Sequence, residues 1–189
     1  MIFHFRPKYI CMAGIAAGIR GKIQLGDIIA CDPVWDWGHG KWKTSSGGTV
    51  FELSPHQAAL DVSLRNLFEQ LRHRSASFFE IHEGWQDAKP RALPKLHIGP
   101  LASGASVVAN ENITSDVQLQ HRKLLGIDME AYAIFIAAQE APEPHPKAFV
   151  IKSVVDFADS EKNDGYHQYA AYTCARVLLL VTQRLMEKE

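Results

Sequence analysis

The run Ala148-Phe149-Val150-Ile151-Lys152-Ser153-Val154-Val155 constrains the fold more than any other stretch of this chain. Its β-branched and aromatic residues favour extended backbone, and it is apolar enough to be a central strand with both faces covered. It ends abruptly in Asp156-Phe157-Ala158-Asp159. Other short apolar runs alternate with helical patterns, which calls for a layered α/β domain.

Upstream, Tyr9–Met12 reads as a short strand opening into a tight turn, Gly14–Gly18, built of small residues. Gly26-Asp27 leads into Ile28–Cys31, a strand stopped by Asp32-Pro33. Val34–Ser54, rich in Trp, Gly and Ser, reads as a long excursion or lid. Ser54-Pro55 reads as a helix start, followed by an apolar stripe of Leu60, Leu64, Leu67, Phe68 and Leu71. Asp87–Pro94 is a loop, and Leu96–Leu101 and Ala105–Ala109 are buried runs separated by Ser103-Gly104. Asn112–Lys123 is a helix, Gly126–Asp128 a strand and Met129–Gln139 an Ala-rich helix. After the Pro-rich Ala141–Pro146 and the central strand comes a closing helix, Gly165 to Met186, with Val177–Val181 facing the core.

With 189 residues the chain is long enough for one domain with a real core. A net charge of −1 gives no electrostatic reason to expect nucleic acid or an anionic membrane surface as partner. Three scattered cysteines without a CxxC pair indicate neither a disulfide framework nor a zinc ribbon. No HxxxH or HExxH pattern occurs among nine histidines, so no metal and no cofactor is expected. The first residues lack the apolar core of a signal peptide, and no apolar run is long enough to span a bilayer. The expected setting is cytoplasmic.

Two carboxylates stand where chemistry could be placed. In Gly126-Ile127-Asp128-Met129-Glu130-Ala131, Glu130 falls in the first turn of a helix, where free N–H groups favour an ionised side chain. It either accepts hydrogen bonds from sugar hydroxyls or decorates a helix terminus. Asp156 follows the central strand, where open α/β sheets bind ligands. A carboxyl partly withdrawn from water there can hold and donate a proton; the alternative is a loop cap. Gly14–Gly18 is G-x-x-x-G, which is not the dinucleotide fingerprint, and Gly40-Lys41 lacks the other residues of a P-loop. Trp35, Trp37 and Trp42 either stack a base or pack a loop, with packing favoured for Trp35.

In their order, Gly14–Gly18, Gly26-Asp27-Ile28-Ile29, Ser103-Gly104, Asp128-Met129-Glu130-Ala131 and Val155-Asp156-Phe157-Ala158-Asp159 resemble the purine nucleoside phosphorylase/methylthioadenosine (S-adenosylhomocysteine) nucleosidase superfamily. Within it, Asp156–Asn163 followed by Tyr169-Ala170-Ala171 is similar to nucleosidase-like domains fused to signalling or immune modules. The resemblance implies a three-layer αβα fold with a mixed central sheet. It covers residues 1–189 as one domain that lacks the family's first strands, leaving an unpaired sheet edge and no carboxylate to activate water.

Carried over, Glu130 and Asp156 are the catalytic pair: Glu130 binds the ribose hydroxyls and Asp156 protonates the purine at N7. Met129 packs on the sugar beside Asp128, and Val107 and Val108 present backbone to the base. Gly14, Ile15 and Ala16 contribute the small-residue segment. Aspartate at the position of Asp156 implies adenine as the base. Phosphorylases of the superfamily place an arginine and a Ser or Thr on phosphate where this chain has Met12 and Ile15, so hydrolysis is implied over phosphorolysis. The leading expectation is release of adenine from an adenine nucleoside or nucleotide. The alternatives are a purine-nucleoside-binding module without turnover, a phosphate-dependent phosphorylase, and a structural remnant. A small-molecule purine partner and a homodimer complete the picture, with no nucleic acid and no membrane.

Overall fold

The computed structural model describes residues 2–45, 48–54, 56–106, 111–157 and 164–187. After a short helix α1 (Ile2–Phe5), the chain runs β1 (Tyr9–Gly18), β2 (Ile28–Asp36), β3 (Gly40–Ser45), β4 (Gly48–Leu53) and β5 (Gln57–Ala58). Helices α2 (Val62–Arg72) and α3 (Ser75–Glu83) precede β6 (Leu96–Ser103), α4 (Glu111–Gln120), β7 (Gly126–Asp128) and α5 (Ala131–Gln139). The last elements are β8 (Lys147–Asp156), a 3-10 turn at Asp164–Tyr166 and α6 (His167–Met186).

The architecture is α/β with a mixed central sheet in the order β5-β2-β6-β7-β1-β8. β8 is the central strand expected from its composition: every residue from Ala148 to Asp156 is buried. It pairs in parallel with nearly the whole of β1, Tyr9 opposite Lys147 through Ala16 opposite Val154, with a shift that sets Ala17 opposite Asp156. Its other side meets β2 antiparallel, Ile28 to Ser153 and Ala30 to Ile151. Through that pairing the sheet closes on itself. β1 pairs with β7 only at Ala17 and Gly18, so among the described residues Tyr9–Ala16 has no strand partner on that side.

Successive side chains of a strand face opposite ways, and β8 shows it in chemistry. Ser153 hydrogen-bonds Thr173 of α6 on one face (2.9 Å). On the other, Lys152 reaches the segment that opens α5. The core joins Ile28, Ile29, Val150, Ile151 and Val154 from the sheet to Leu64, Leu67, Phe68 and Leu71 of α2, Phe135 of α5, and Val177 and Val181 of α6.

Four boundaries differ from expectation. Gly14–Gly18 is not a turn but the second half of β1, because its small residues allow close contact beneath other side chains rather than reversing the chain. β2 does not stop at Asp32-Pro33; it continues to Asp36 with a register shift between Cys31 and Val34. A bulge is where a strand tolerates a residue without an N–H. The stretch from Val34 to Ser54 is mostly the end of β2 and the hairpin β3–β4, Gly40 pairing with Leu53. Helix α2 begins at Val62, capped by Asp61, whose carboxylate accepts from the Ser63 N–H; Pro55 lies outside the described residues, and Leu60 precedes the helix as part of the core. Helix α3 was not apparent in the sequence pattern.

Candidate active site

The carboxylate segment is placed by three strands and a helix. β6 and β7 run parallel, with Ser103 opposite Asp128, and the Gly104 N–H donates to the Asp128 carbonyl (3.0 Å). The Ser103 hydroxyl accepts from the Tyr132 N–H (3.2 Å), tying the end of β6 to the first turn of α5. Asp128 is buried, and its carboxylate accepts from the Ala131 N–H at 3.0 and 3.3 Å. It thus satisfies a helix-terminal donor that would otherwise be orphaned. Glu130 sits at the N-cap position of α5, just before the first turn, and makes no capping hydrogen bond. Its carboxylate is engaged elsewhere than at the cap, by Lys152. Met129 beside it is exposed.

A cation that sequence reading passed over organises these groups. Lys152 is 3% exposed. Its ammonium lies 2.9 Å from Asp128 Oδ2 and 3.2 Å from Glu130 Oε2. Burial works to lower the pKa of this lysine, but the Asp128 charge and the hydrogen bonds to both carboxylates more than offset it, and the net direction is up. To reach Asp128 from β8, the lysine must cross β1, and it crosses at Gly14, its register partner. A Cβ on Gly14 would stand 3.3 Å from Lys152 Nζ. The signal was present in the sequence: a lysine inside an apolar central strand needs a buried carboxylate partner.

Asp156 closes β8, is 9% exposed and lies opposite Ala17. Ala17 is flanked on its other side by Ile127. Asp156 and the Asp128–Glu130 segment therefore stand about two strand spacings, roughly 10 Å, apart across β1. Between them lie the small residues Ala16, Ala17 and Gly18. Ala16 shares the Lys152 face, whereas Ile15 pairs with Ser153 and faces α6. Val107 and Val108 lie outside the described residues, as do Ala158–Asn163.

The tryptophans divide. Trp35 is buried, donates to Gln120 Oε1 (2.9 Å) and stacks on His121, which is packing. Trp37 lies against Gly104, where a Cβ would collide with its indole nitrogen. Trp42 is exposed on the hairpin beside Phe51. The thiols are not activated: burial pushes Cys31 well up and Cys174 up to about 11. A cavity of about 410 Å³ opens at the other end of β8, between Lys147, Asp61, Leu60 and Phe135, and is lined by none of Asp128, Glu130 and Asp156. Among the described residues no group of three or more His, Cys, Asp or Glu is arranged to hold a metal ion, and no helix is long and apolar enough to cross a membrane.

This arrangement has relatives. Protein y4jS of Sinorhizobium fredii is 40% identical over 184 residues, covering 97% of this chain and 45% of its own. The ATP nucleosidase Cap17 of Escherichia coli is 26% identical over 186 residues, 93% of this chain and 36% of its own. The chain thus spans less than half the length of either relative. In fold it is similar to the S-adenosylhomocysteine nucleosidase of Streptococcus pyogenes solved with 5-methylthiotubericidin. There the TM-score is 0.72 at 20% identity, over 97% of this chain and 71% of that one. The sequence pattern of the Phosphorylase superfamily matches residues 1–186, from before β1 to the end of α6, and the chain belongs to that superfamily.

Proposed function

We propose that this chain carries the nucleoside site of an enzyme that hydrolyses the N-glycosidic bond of an adenine nucleoside or nucleotide. The observation that carries the reading is the placement of Glu130 and Asp156 on either side of the small residues of β1, one exposed and held by a buried cation, the other at the end of the central strand. The names of its relatives support the same chemistry: an ATP nucleosidase in sequence, and a nucleosidase bound to a nucleoside analogue in fold.

In this reading the sugar lies toward Glu130 and Met129, and the purine toward Asp156 and the backbone of Val107 and Val108. Cleavage passes through an oxocarbenium-like sugar. The C1′–N9 bond breaks as Asp156 donates a proton to N7, so adenine leaves neutral; water adds to C1′ and gives up a proton to solvent, from which the Asp156 carboxylate is reprotonated. Glu130 accepts from the ribose hydroxyls and its charge stabilises the positive charge that develops on the ring. The apolar side chain of Met12 offers no hydrogen bond to phosphate and Ile15 faces α6, which supports water over phosphate as the acceptor. A homodimer in the cytoplasm is the proposed working form.

The test is to incubate the protein with ATP, AMP or methylthioadenosine, with and without inorganic phosphate, and to measure free adenine and the sugar product. Adenine with unphosphorylated C1′ and no phosphate requirement is expected. Asp156→Asn should fold normally and release adenine about a hundred- to ten-thousand-fold more slowly. A fully active Asp156→Asn protein rules out the proton-donor role. Saturable adenine binding without any release would instead support a purine-nucleoside-binding module. Light scattering reads the oligomeric state.

A further inference from the structure

The buried Lys152 is larger in consequence than its two ion pairs suggest. Its partners differ in kind. The Asp128 side chain is 1% exposed and already fixed at the start of α5 by the Ala131 N–H. The Glu130 side chain is 55% exposed and touches no N–H of its own helix cap. An exposed glutamate normally samples many rotamers, and an ordinary surface ion pair does little to restrict it. Here the cation is not at the surface. It is 4% exposed along its side chain, extends from the buried strand β8, and is anchored by Asp128 at 2.9 Å before it meets Glu130 at 3.2 Å. Its route over β1 passes close above Gly14, where a Cβ would stand 3.3 Å from the ammonium.

We propose that Lys152 is the positioning residue for Glu130: anchored on Asp128 and passing over Gly14, its ammonium holds the Glu130 carboxylate in one place above β1, where it meets the sugar rather than the base of a bound nucleoside. One cation shared by two carboxylates leaves one negative charge in excess, and the exposed member, Glu130, is the one that can present it. The raised pKa of Lys152 accords with a cation that stays charged throughout the physiological range. This inference rests on the nucleoside reading above, and adds to it the device that gives the sugar half of the site its geometry.

The two halves of a nucleoside separate the possibilities. Binding is measured by calorimetry for adenine, which has no sugar, and for formycin A, a C-nucleoside whose base–sugar bond cannot be hydrolysed. Lys152→Met should weaken formycin A by at least about tenfold, the size of a lost charge-assisted hydrogen bond, and leave adenine within about twofold. In a Glu130→Gln background the same substitution should change formycin A binding by no more than about twofold, because the carboxylate it positions is gone. Lys152→Met leaves Asp128 buried without its cation, so Lys152→Met/Asp128→Asn, which removes both charges, is measured alongside and should show the same sugar-selective loss. Equal weakening of both ligands, or additivity with Glu130→Gln, would make Lys152 a purely structural residue and overturn the proposal alone. So would failure of both Lys152 variants to fold, read by circular dichroism. Wild-type protein that binds neither ligand overturns the nucleoside reading itself, and the proposal with it.

Discussion

Gly14 and Gly26 show how much can depend on a missing side chain. At Gly14 the absent Cβ leaves room for the Lys152 side chain on its way to Asp128, a Cβ there standing 3.3 Å from the ammonium. Gly14→Val places methyl groups against that ammonium, and the expected outcome is a loss of nucleoside affinity like that of Lys152→Met, with adenine affinity kept. Overpacking should also lower stability, by about 1–3 kcal/mol in urea unfolding. At Gly26 the requirement is the backbone itself: φ is +81°, and a Cβ would meet the Tyr169 ring at 2.6 Å. Gly26→Ala therefore combines a strained conformation with a collision. A cost of about 1–3 kcal/mol is expected, visible as a lower melting temperature. An unchanged melting temperature would show that the Tyr169 ring moves aside freely.

At the scale of elements, α2 depends on its cap. Asp61 accepts from the Ser63 N–H and hydroxyl and pairs with Lys147 at the start of β8 (2.9 Å). The Ser63 and Lys147 hydrogen bonds, in that order, hold the Asp61 carboxyl down at about 2. A carboxyl depressed in the folded state stabilises it above the unfolded pKa, and that contribution is lost as pH falls through the folded value. Asp61→Ala should thus cost about 1 kcal/mol at neutral pH. The gap between mutant and wild type should close as pH drops from about 4 towards 2. Denaturant unfolding across that range reads it; a gap that persists at the acid end would mean that the cap does not act through its charge. The same element shows why its boundary was misplaced in the sequence. The start read at Ser54-Pro55 and the apolar stripe counted from Leu60 both extended the helix too far, because Leu60 packs in the core ahead of the helix and gives its N–H to Asp32 (3.2 Å).

For the whole molecule the decisive contact is the closure of the sheet between β2 and β8. Asp27 stands at that seam, 2% exposed. Its carboxylate accepts from the Gln24 and Lys95 N–H groups and pairs with His97, while its carbonyl accepts from the Val154 N–H. It ties the entrance of β2 to both β6 and β8. Asp27→Ala should cost about 3 kcal/mol, since three partly buried donors lose a charged acceptor at once. For a chain of this size that is roughly a 10 °C fall in melting temperature. A fall of only a degree or two would show that the seam is held by hydrophobic packing instead.

The β8 strand, the short β7, the loop at Asp87–Pro94 and the long final helix were legible in the sequence because each is announced locally, by a run, a period or a breaker. Glu130 and Asp156 were legible as candidates for the same reason: each follows a strand that could be recognised by itself. What the sequence did not determine was how strands from different parts of the chain would lie beside one another. Gly14–Gly18 reads as a turn until β1 is laid along β8. Lys152 reads as an interruption in an apolar run until Asp128 and Glu130 are brought over Gly14 to meet it. Local pattern decides what an element is, because it follows from backbone sterics and burial along one segment. The partner of a buried charge lies at long range in the chain, and only the tertiary structure decides it.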